Sequence, residues 1–310
     1  GNAQEFFKVI ARPDKQRNAD QHKITLATID IGGGTTDLVV NEYHIDTRRG
    51  SGVNVEIVPK QLFRESFKVA GDDIVLDMIR EFVLPPLEAA FREWNVQDIE
   101  TVKSHLYGVS TSNAQDEIYR QQLTLQVFLP IALSILKRYE ELDIADQHVE
   151  QSFTFAELMP ARATASVVDF VSREFPKGAL KKFDIHNVKI KFNLLNLHGM
   201  FLSNKFTFNK NKSFKMSINS SLAGLCEVIE QYACDMVLLT GRPSRLPGVQ
   251  ALIRSFLPLY SGRVLPLQNY RTGSWYPFNK NDLIEDPKTT AAVGAMLCMQ
   301  AKNGSLTNFA

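Results

Sequence analysis

The chain has 310 residues, a formal net charge of +1, and a composition that is 44% hydrophobic and 22% charged. These values are typical of a folded globular protein and exclude a disordered chain. The near-neutral charge gives no reason to expect nucleic acid or an anionic membrane as a partner, and no apolar stretch approaches the roughly 18 residues that a membrane span requires.

The beginning of the chain is predicted to lie outside any domain. Residues 1–22 are polar and charged after a short apolar start, which is typical of a linker or arm. Because the chain begins with Gly1, without Met and without a signal-peptide pattern, we expect a fragment of a longer protein. The cysteines Cys226, Cys234 and Cys298 are expected to be core residues of a reduced protein. These features predict a cytoplasmic protein and leave open whether the parent protein is secreted.

Two predicted strands flank a glycine turn. Residues 22–31 are rich in β-branched side chains, Gly32–Gly34 ends that run, and residues 35–43 resume it. This pattern predicts an antiparallel hairpin. A third strand is predicted over 53–58, and the acidic pair at 72–73 suits the positive end of a following helix.

The pattern changes after this first helix. Pro85 and Pro86 are expected to interrupt the chain. Helical segments and alternating apolar runs follow, among them a predicted helix over 123–141 and a predicted strand over 188–194. We therefore predict that residues 84–219 form an inserted α+β subdomain.

The remaining residues are predicted to return to the first domain. A helix, a buried strand and two further helices are predicted over 220–232, 234–240, 248–256 and 289–299. Three meandering strands followed by strands linked through helices are typical of a ribonuclease-H-like mixed α/β fold. We assign residues 23–83 and 220–310 to this domain.

The segment from Asp30 to Asp37 carries the strongest chemical signal, with the sequence Asp-Ile-Gly-Gly-Gly-Thr-Thr-Asp. Three consecutive glycines allow backbone amides to converge on an anion, and the two threonine hydroxyls add donors. The two aspartates supply hard oxygen ligands for Mg2+, reached through its waters. Because a strand follows and no Lys-Ser/Thr pair is present, the segment is neither a P-loop nor a Rossmann fingerprint. The alternative is a hairpin that merely turns the chain.

This segment resembles, almost letter for letter, the second phosphate motif of the actin/DnaK/sugar-kinase superfamily as found in DnaK-type chaperones. Residues 69–73 resemble the chaperone segment that opens a helix, residues 237–249 resemble the adenosine motif, and residues 286–295 resemble the closing helix of the same lobe. The chain departs from the family where Thr240-Gly241 replaces two glycines and where the following loop is one residue longer. An ordinary strand-to-helix loop is the alternative for residues 237–249.

The resemblance implies an actin-type ATPase lobe, built on a mixed five-stranded sheet with helices, that binds ATP or ADP with Mg2+. It implies Mg2+ binding by Asp30 and Asp37, and catalytic roles for Asp30, Thr35 and Thr36, with either threonine helping to place the attacking water. The implied nucleotide contacts are Gly32, Gly33, Gly34, Thr35, Gly71, Asp72, Gly241, Arg242, Ser244 and Arg245. In the superfamily the first phosphate motif belongs to another lobe. No matching hairpin lies upstream here, so a first lobe of the same polypeptide is an implied partner and the chain alone is expected to be inactive or feeble.

Two further segments carry a narrower resemblance. Residues 63–74 and the arm at 12–17 are similar to the SrfB-type virulence-factor family of bacteria. That family is much longer than this chain, so the resemblance implies that the chain is an actin-like second lobe. It also implies a bacterial origin and says little about mechanism.

A second hypothesis is a non-catalytic interaction scaffold, either gated by a nucleotide or independent of one. Its partner surface would be the predicted insertion 84–219. The candidate contacts are the aromatic stretch Phe192–Phe208 and the basic turn Lys210–Lys215, for which a solvated hairpin is the alternative. A sugar kinase is a third hypothesis that nothing in this chain supports, since the substrate groups would lie in the other lobe.

Overall fold

A computed structural model describes residues 10–11, 23–46, 56–108, 113–143, 150–176, 182–202, 216–259, 261–268 and 270–305. Most of the predicted arm 1–22, the start of the predicted third strand at 53–55 and the predicted contacts Phe206–Phe208 and Lys210–Lys215 lie outside these residues. The chain divides into two compact units. The first unit comprises Gly1–Asp73, Phe201–Ser203 and Lys215–Ala310, and the second comprises Ile74–Met200 and Asn204–Phe214.

The strands among the described residues are β1 (Lys23–Ile31), β2 (Thr36–Asp46), β3 (Glu56–Phe67), β4 (Glu150–Thr154), β5 (Lys189–Asn193), β6 (Met236–Thr240), β7 (Val264–Pro266), β8 (Asn279–Lys280) and β9 (Leu283–Ile284). The α-helices are α1 (Gly71–Met78), α2 (Leu84–Glu93), α3 (Ile99–Tyr107), α4 (Ala114–Leu123), α5 (Leu129–Glu140), α6 (Phe155–Leu158), α7 (Ala165–Ser172), α8 (Leu194–Phe201), α9 (Ile218–Gln231), α10 (Pro247–Phe256) and α11 (Thr290–Lys302). No helix of the described residues combines the length and apolar character needed to cross a membrane.

A mixed five-stranded sheet organises the first unit, with the strand order β3-β2-β1-β6-β7. Strand β2 runs antiparallel to both β1 and β3, whereas β6 runs parallel to β1 and β7 runs parallel to β6. The mixed α/β fold with a five-stranded sheet is thus confirmed. The third strand was predicted to end at residue 58, but β3 continues to Phe67 because it pairs with β2 along the whole length of that strand.

Alternation of side chains along β1 and β2 sets which residues face the core. Ile29 and Leu38 are cross-strand partners and are fully buried on one face. Asp30 and Asp37 are also cross-strand partners and are only partly buried. Because successive side chains of a strand point to opposite faces, the apolar pair in the core places the two carboxylates together on the other face.

Two helical runs pass through prolines. Helix α1 continues through the π-helical turn Ile79–Val83 into α2, which carries Pro85 and Pro86 near its start. A second π-helical turn, Thr124–Phe128, joins α4 to α5, which carries Pro130 at the same place. The predicted interruption is therefore wrong. Proline lacks an amide hydrogen and is tolerated in the first turn of an α-helix. Each π-helical turn is followed by the first turn of a new α-helix, so the prolines fit without breaking the helical path.

The second unit consists mainly of helices, with β4 and β5 as an antiparallel pair. Local side-chain bonds define its helix starts. Thr154 and Glu157 form a reciprocal capping box at α6, and the Asp98 carboxylate accepts from the Thr101 amide at α3. Its sequence range begins at Ile74 rather than at the predicted residue 84.

The cysteines do not share one environment. Cys226 and Cys234 are buried, and burial raises the pKa of the Cys226 thiol to about 12. Cys298 is exposed, so the prediction of three core cysteines is wrong at this position. The reason is that α11 packs through Val293 and Leu297, which lie four residues apart on one face of the helix and leave Cys298 on another.

Candidate functional site

The glycine turn lies at the carboxyl end of β1 and is open to solvent. Gly33, Gly34 and Thr35 are exposed, and the turn is closed by the Gly32 amide, which donates to the carbonyl oxygen of Thr35 at 2.8 Å. Within the described part of the chain, the amides of Gly33, Gly34 and Thr35 donate to no protein acceptor. Successive backbone amides that are exposed and unengaged in a turn are suited to bind an anion.

The three glycines differ in how much space a side chain would find. None of them has a positive φ. A Cβ at Gly32 would lie 3.1 Å from the carbonyl oxygen of Thr35, and a Cβ at Gly33 would lie 3.3 Å from Oδ1 of Asp72. A Cβ at Gly34 would meet nothing within 4 Å. Packing therefore explains the glycine at 32 and in part at 33, but it does not explain the glycine at 34.

The start of α1 is bonded to this turn. The amides of Gly71 and Asp72 donate to the carbonyl oxygens of Gly32 and Gly33 at 3.0 and 2.8 Å. A Cβ at Gly71 would lie only 2.8 Å from Cγ of Pro243 and 3.0 Å from the carbonyl oxygen of Gly32. The structure thus places Gly71 and Asp72, two of the predicted nucleotide contacts, directly beside the turn. Their amides are engaged within the protein, and the exposed Asp72 carboxylate remains accessible.

Two carboxylates face each other beside the turn. Asp30 and Asp37 are direct partners across β1 and β2, where like charges are unfavourable. Burial raises the pKa of Asp30 above its usual range, the Asp37 carboxylate raises it further, and the Lys288 ammonium lowers it. The Thr35 hydroxyl donates to Oδ2 of Asp37 at 3.3 Å. The described residues contain no group of three or more His, Cys, Asp or Glu side chains that could hold a metal ion.

The two threonines of the turn have different environments. Thr36 is fully buried, and its hydroxyl donates to the carbonyl oxygen of Val69 at 2.7 Å. Thr35 is exposed. Of the two hydroxyls predicted to place a water molecule, only that of Thr35 lies on the solvent side, whereas Thr36 joins β2 to the segment before α1.

The second glycine loop follows β6 and packs against the end of β1. Gly241 has φ +79° and ψ 156°, a backbone conformation essentially restricted to glycine. A Cβ there would overlap the carbonyl oxygen of Ile31 and would lie 2.7 Å from Oδ1 of Asp30. The structure therefore brings Gly241, Asp30 and the first turn together, as the predicted site requires.

The side chains of this second loop point in different directions. Ser244 is fully buried, and its hydroxyl donates to the carbonyl oxygen of Gly241 at 2.7 Å. Arg242 is exposed and Arg245 is half-buried, both on the single 3-10 turn Arg242–Arg245. Among the predicted contacts of this loop, Arg242 is therefore the exposed side chain, whereas Arg245 is half-buried with its Nε atom shielded from solvent.

One segment of the site was not identified from the sequence. The Thr240 hydroxyl donates to the carbonyl oxygen of Pro287 at 2.9 Å, and Thr240 is the cross-strand partner of Asp30. Lys288 directly follows Pro287 and is exposed. The available signal was the resemblance of residues 286–295 to a closing helix, but that resemblance assigned no role to a lysine.

Comparison with known proteins identifies a family for the chain. A family model described as Virulence factor SrfB matches residues 1–310. No curated protein matches the chain. The match confirms the family that residues 12–17 and 63–74 predicted, and its description names neither a ligand nor a reaction.

Proposed function

The chain belongs to the SrfB virulence factor family, and we propose that it is a phosphate-binding lobe of an actin/DnaK-type nucleotide-binding protein. The observation that carries this proposal is the row of unengaged amides in the exposed residues Gly33–Thr35. Gly34 in this row has no packing reason to be glycine. A bare backbone at this point is what close approach of a ligand phosphate requires.

The surroundings of the turn support a nucleotide rather than a free anion. In sheets with parallel strands, ligands bind beyond the carboxyl ends of the strands. The turn follows β1 and the loop at Gly241 follows β6, and these two strands are parallel neighbours. One loop would hold the phosphates of ATP or ADP, and the other would face the adenosine with Arg242 and Arg245 at its surface.

The carboxylates fit a magnesium ion that arrives with the phosphates. Mg2+ keeps several waters and is held by one or two carboxylates together with substrate phosphates. Asp30 and Asp37 match that requirement, since they form a pair and the described residues supply no larger cluster. When bound, Mg2+ would neutralise phosphate charge.

The residues of this chain would position the reactants rather than react with them. Thr35 has the exposed hydroxyl that would orient an attacking water, and its bond to Asp37 would fix the direction of that hydroxyl. Thr36 would fix the position of β2 relative to the start of α1 through its bond to Val69. The missing phosphate contacts would come from a first lobe of the same polypeptide, so the isolated chain is expected to turn over ATP feebly or not at all.

Calorimetric titration of Mg·ATP into the full-length protein that contains this chain tests the proposal. We expect Gly34→Val to weaken Mg·ATP binding by at least about tenfold, roughly 1.4 kcal/mol, because the side chain covers the exposed amides. The matched control is Gly262→Val. Gly262 is also exposed, a Cβ there also meets nothing within 4 Å, and it precedes β7 at the other end of the parallel strands.

Two results would overturn the proposal. The first is a wild-type protein that binds neither Mg·ATP nor Mg·ADP, and the second is a folded Gly34→Val variant that binds as tightly as wild type. Either result favours the non-catalytic scaffold, in which the second unit carries the partner surface. Thermal unfolding of each variant, measured in parallel, distinguishes lost binding from lost folding.

A further inference from the structure

The segment that precedes α11 fixes a lysine backbone at the carboxyl end of the central strands. The Thr240 hydroxyl donates to the carbonyl oxygen of Pro287 at 2.9 Å and lies 3.1 Å from the Thr290 hydroxyl. Oδ1 of Asp286 accepts from the amide of Lys288 at 2.9 Å. Lys288 is therefore held on both sides, by β6 and by the capping aspartate, while its own side chain extends to solvent.

Strand register places the backbone before this lysine at the same end of the sheet as the carboxylate pair. Asp37, Asp30 and Thr240 are successive partners across β2, β1 and β6 and form one row of the sheet. Lys288 continues from that row through the bond between Thr240 and Pro287.

The local charge balance leaves the lysine available to a ligand. Among the described residues, Lys288 forms no ion pair within 4.0 Å, whereas the nearby Lys280 is paired with Glu285 at 3.2 Å. The glycine turn is surrounded by the acidic side chains of Asp30, Asp37 and Asp72, so it offers amides but no cation of its own. A bound Mg2+ ion would offset only part of the negative charge of a di- or triphosphate, so a further positive group favours binding there.

We propose that Lys288 is a phosphate-contacting residue of this site, whose ammonium pairs with the phosphate chain of a nucleoside di- or triphosphate. In the protein without nucleotide the same ammonium balances the Asp30–Asp37 pair. A lysine suits both states because its charge sits on a flexible four-carbon stem and forms bonds in several directions. This inference rests on the proposed nucleotide-binding function and adds a residue that the superfamily resemblance did not assign.

The test compares Lys288→Met with Lys302→Met in the full-length protein, by titration with Mg·ATP, Mg·ADP and adenosine. Lys302 is an exposed lysine at the far end of α11, about 20 Å along the helix at 1.5 Å per residue. We expect Lys288→Met to lower the affinity for Mg·ATP and for Mg·ADP about tenfold, because a charged hydrogen bond is lost. The affinity for adenosine should not change. Lys288→Arg should keep the affinity within about threefold because the charge remains.

The outcomes separate this inference from the proposed function. If wild-type protein binds Mg·ATP and Lys288→Met binds it equally well, the role of Lys288 is refuted while the nucleotide site stands. If Lys288→Met lowers the affinity for adenosine as much as the affinity for Mg·ATP, the lysine acts on the structure of the loop and the phosphate contact is refuted. If wild-type protein binds none of the three ligands, both proposals fall together.

Discussion

The two glycine-containing loops of the first unit follow neighbouring parallel strands but have opposite structural properties. The loop at Gly241 is closed: its backbone packs against Ile31, and the buried Ser244 hydroxyl bonds back to the Gly241 carbonyl oxygen. The turn at Gly33–Thr35 is open, with exposed amides that no described protein group accepts from. Conformation and packing require glycine at position 241, whereas nothing in the fold requires glycine at position 34.

This contrast separates glycines that fold the chain from glycines that keep a surface bare. A positive φ with a crowded Cβ position indicates a structural glycine. An exposed glycine with an ordinary φ and empty surroundings indicates a requirement from outside the chain. Gly241 and Gly34 are the clearest members of the two classes, and substitutions at each should have opposite consequences for folding.

The largest expected effect is on stability at the closed loop. Gly241→Ala should lower the free energy of unfolding by about 3 kcal/mol, because it combines a strained backbone with overlap against Ile31 and Asp30. Urea denaturation measures this loss. The control Gly34→Ala should change the free energy of unfolding by no more than about 0.5 kcal/mol. Equal effects of the two variants would remove the distinction between the loops.

The next effect concerns the two threonines of the open turn. Thr36→Val should lower the free energy of unfolding by about 1.5 kcal/mol, because the partly buried carbonyl oxygen of Val69 loses its hydrogen-bond donor. Thr35→Val, with an exposed side chain, should stay within about 0.5 kcal/mol of wild type. The same denaturation measurement checks both variants, and a larger loss at Thr35 would contradict the assignment of Thr36 as the structural member.

The smallest effect is a gain in stability at the carboxylate pair. Because the pKa of Asp30 is raised in the folded protein, its contribution to stability is present at low pH and is lost as the pH rises through that pKa. Asp30→Asn removes the charge, so the variant should melt at a higher temperature than wild type at pH 7. The difference should vanish as the pH falls toward the usual aspartate value of 3.8. Melting curves in the presence of a chelator measure this.

A contrasting aspartate gives the control for sign. The hydroxyl and amide of Thr101 lower the pKa of Asp98, so its contribution is present at neutral pH and is lost as the pH falls. Asp98→Ala should therefore destabilise the protein at pH 7 and have less effect near pH 3. An Asp30→Asn variant that behaves like Asp98→Ala would show that the Asp30 charge stabilises the fold, against the expectation from its buried, acidic surroundings.

Local sequence patterns were sufficient for the central elements. The β-branched runs on either side of Gly32–Gly34 predicted the β1–β2 hairpin, and the acidic pair at 72–73 predicted the start of α1. Both depend on interactions between near neighbours, which the order of residues specifies directly. The cross-strand pairing of Asp30 with Asp37 follows from the same hairpin, because a short turn sets the register.

Features that depend on distant partners were predicted poorly. The burial of Thr36 depends on Val69, 33 positions later in the chain, and the position of Lys288 depends on a bond to Thr240 across 47 positions. Pro85 and Pro86 were expected to break a helix, because the sequence does not reveal the π-helical turn that precedes α2. Cys298 was expected in the core because free cysteines are usually small core residues, and the sequence does not reveal that α11 packs through Val293 and Leu297.

The amino-acid sequence by itself determined the glycine turn, the hairpin of β1 and β2, and the placement of the two aspartates on one sheet face. Each of these follows from steric limits and side-chain alternation within a few residues. Only the tertiary structure decided which amides stay unengaged, which threonine is buried and which lysine stands beside the carboxylates. Those outcomes depend on which segments meet in space, and a hydrogen bond or a buried contact forms only where packing brings its two partners together.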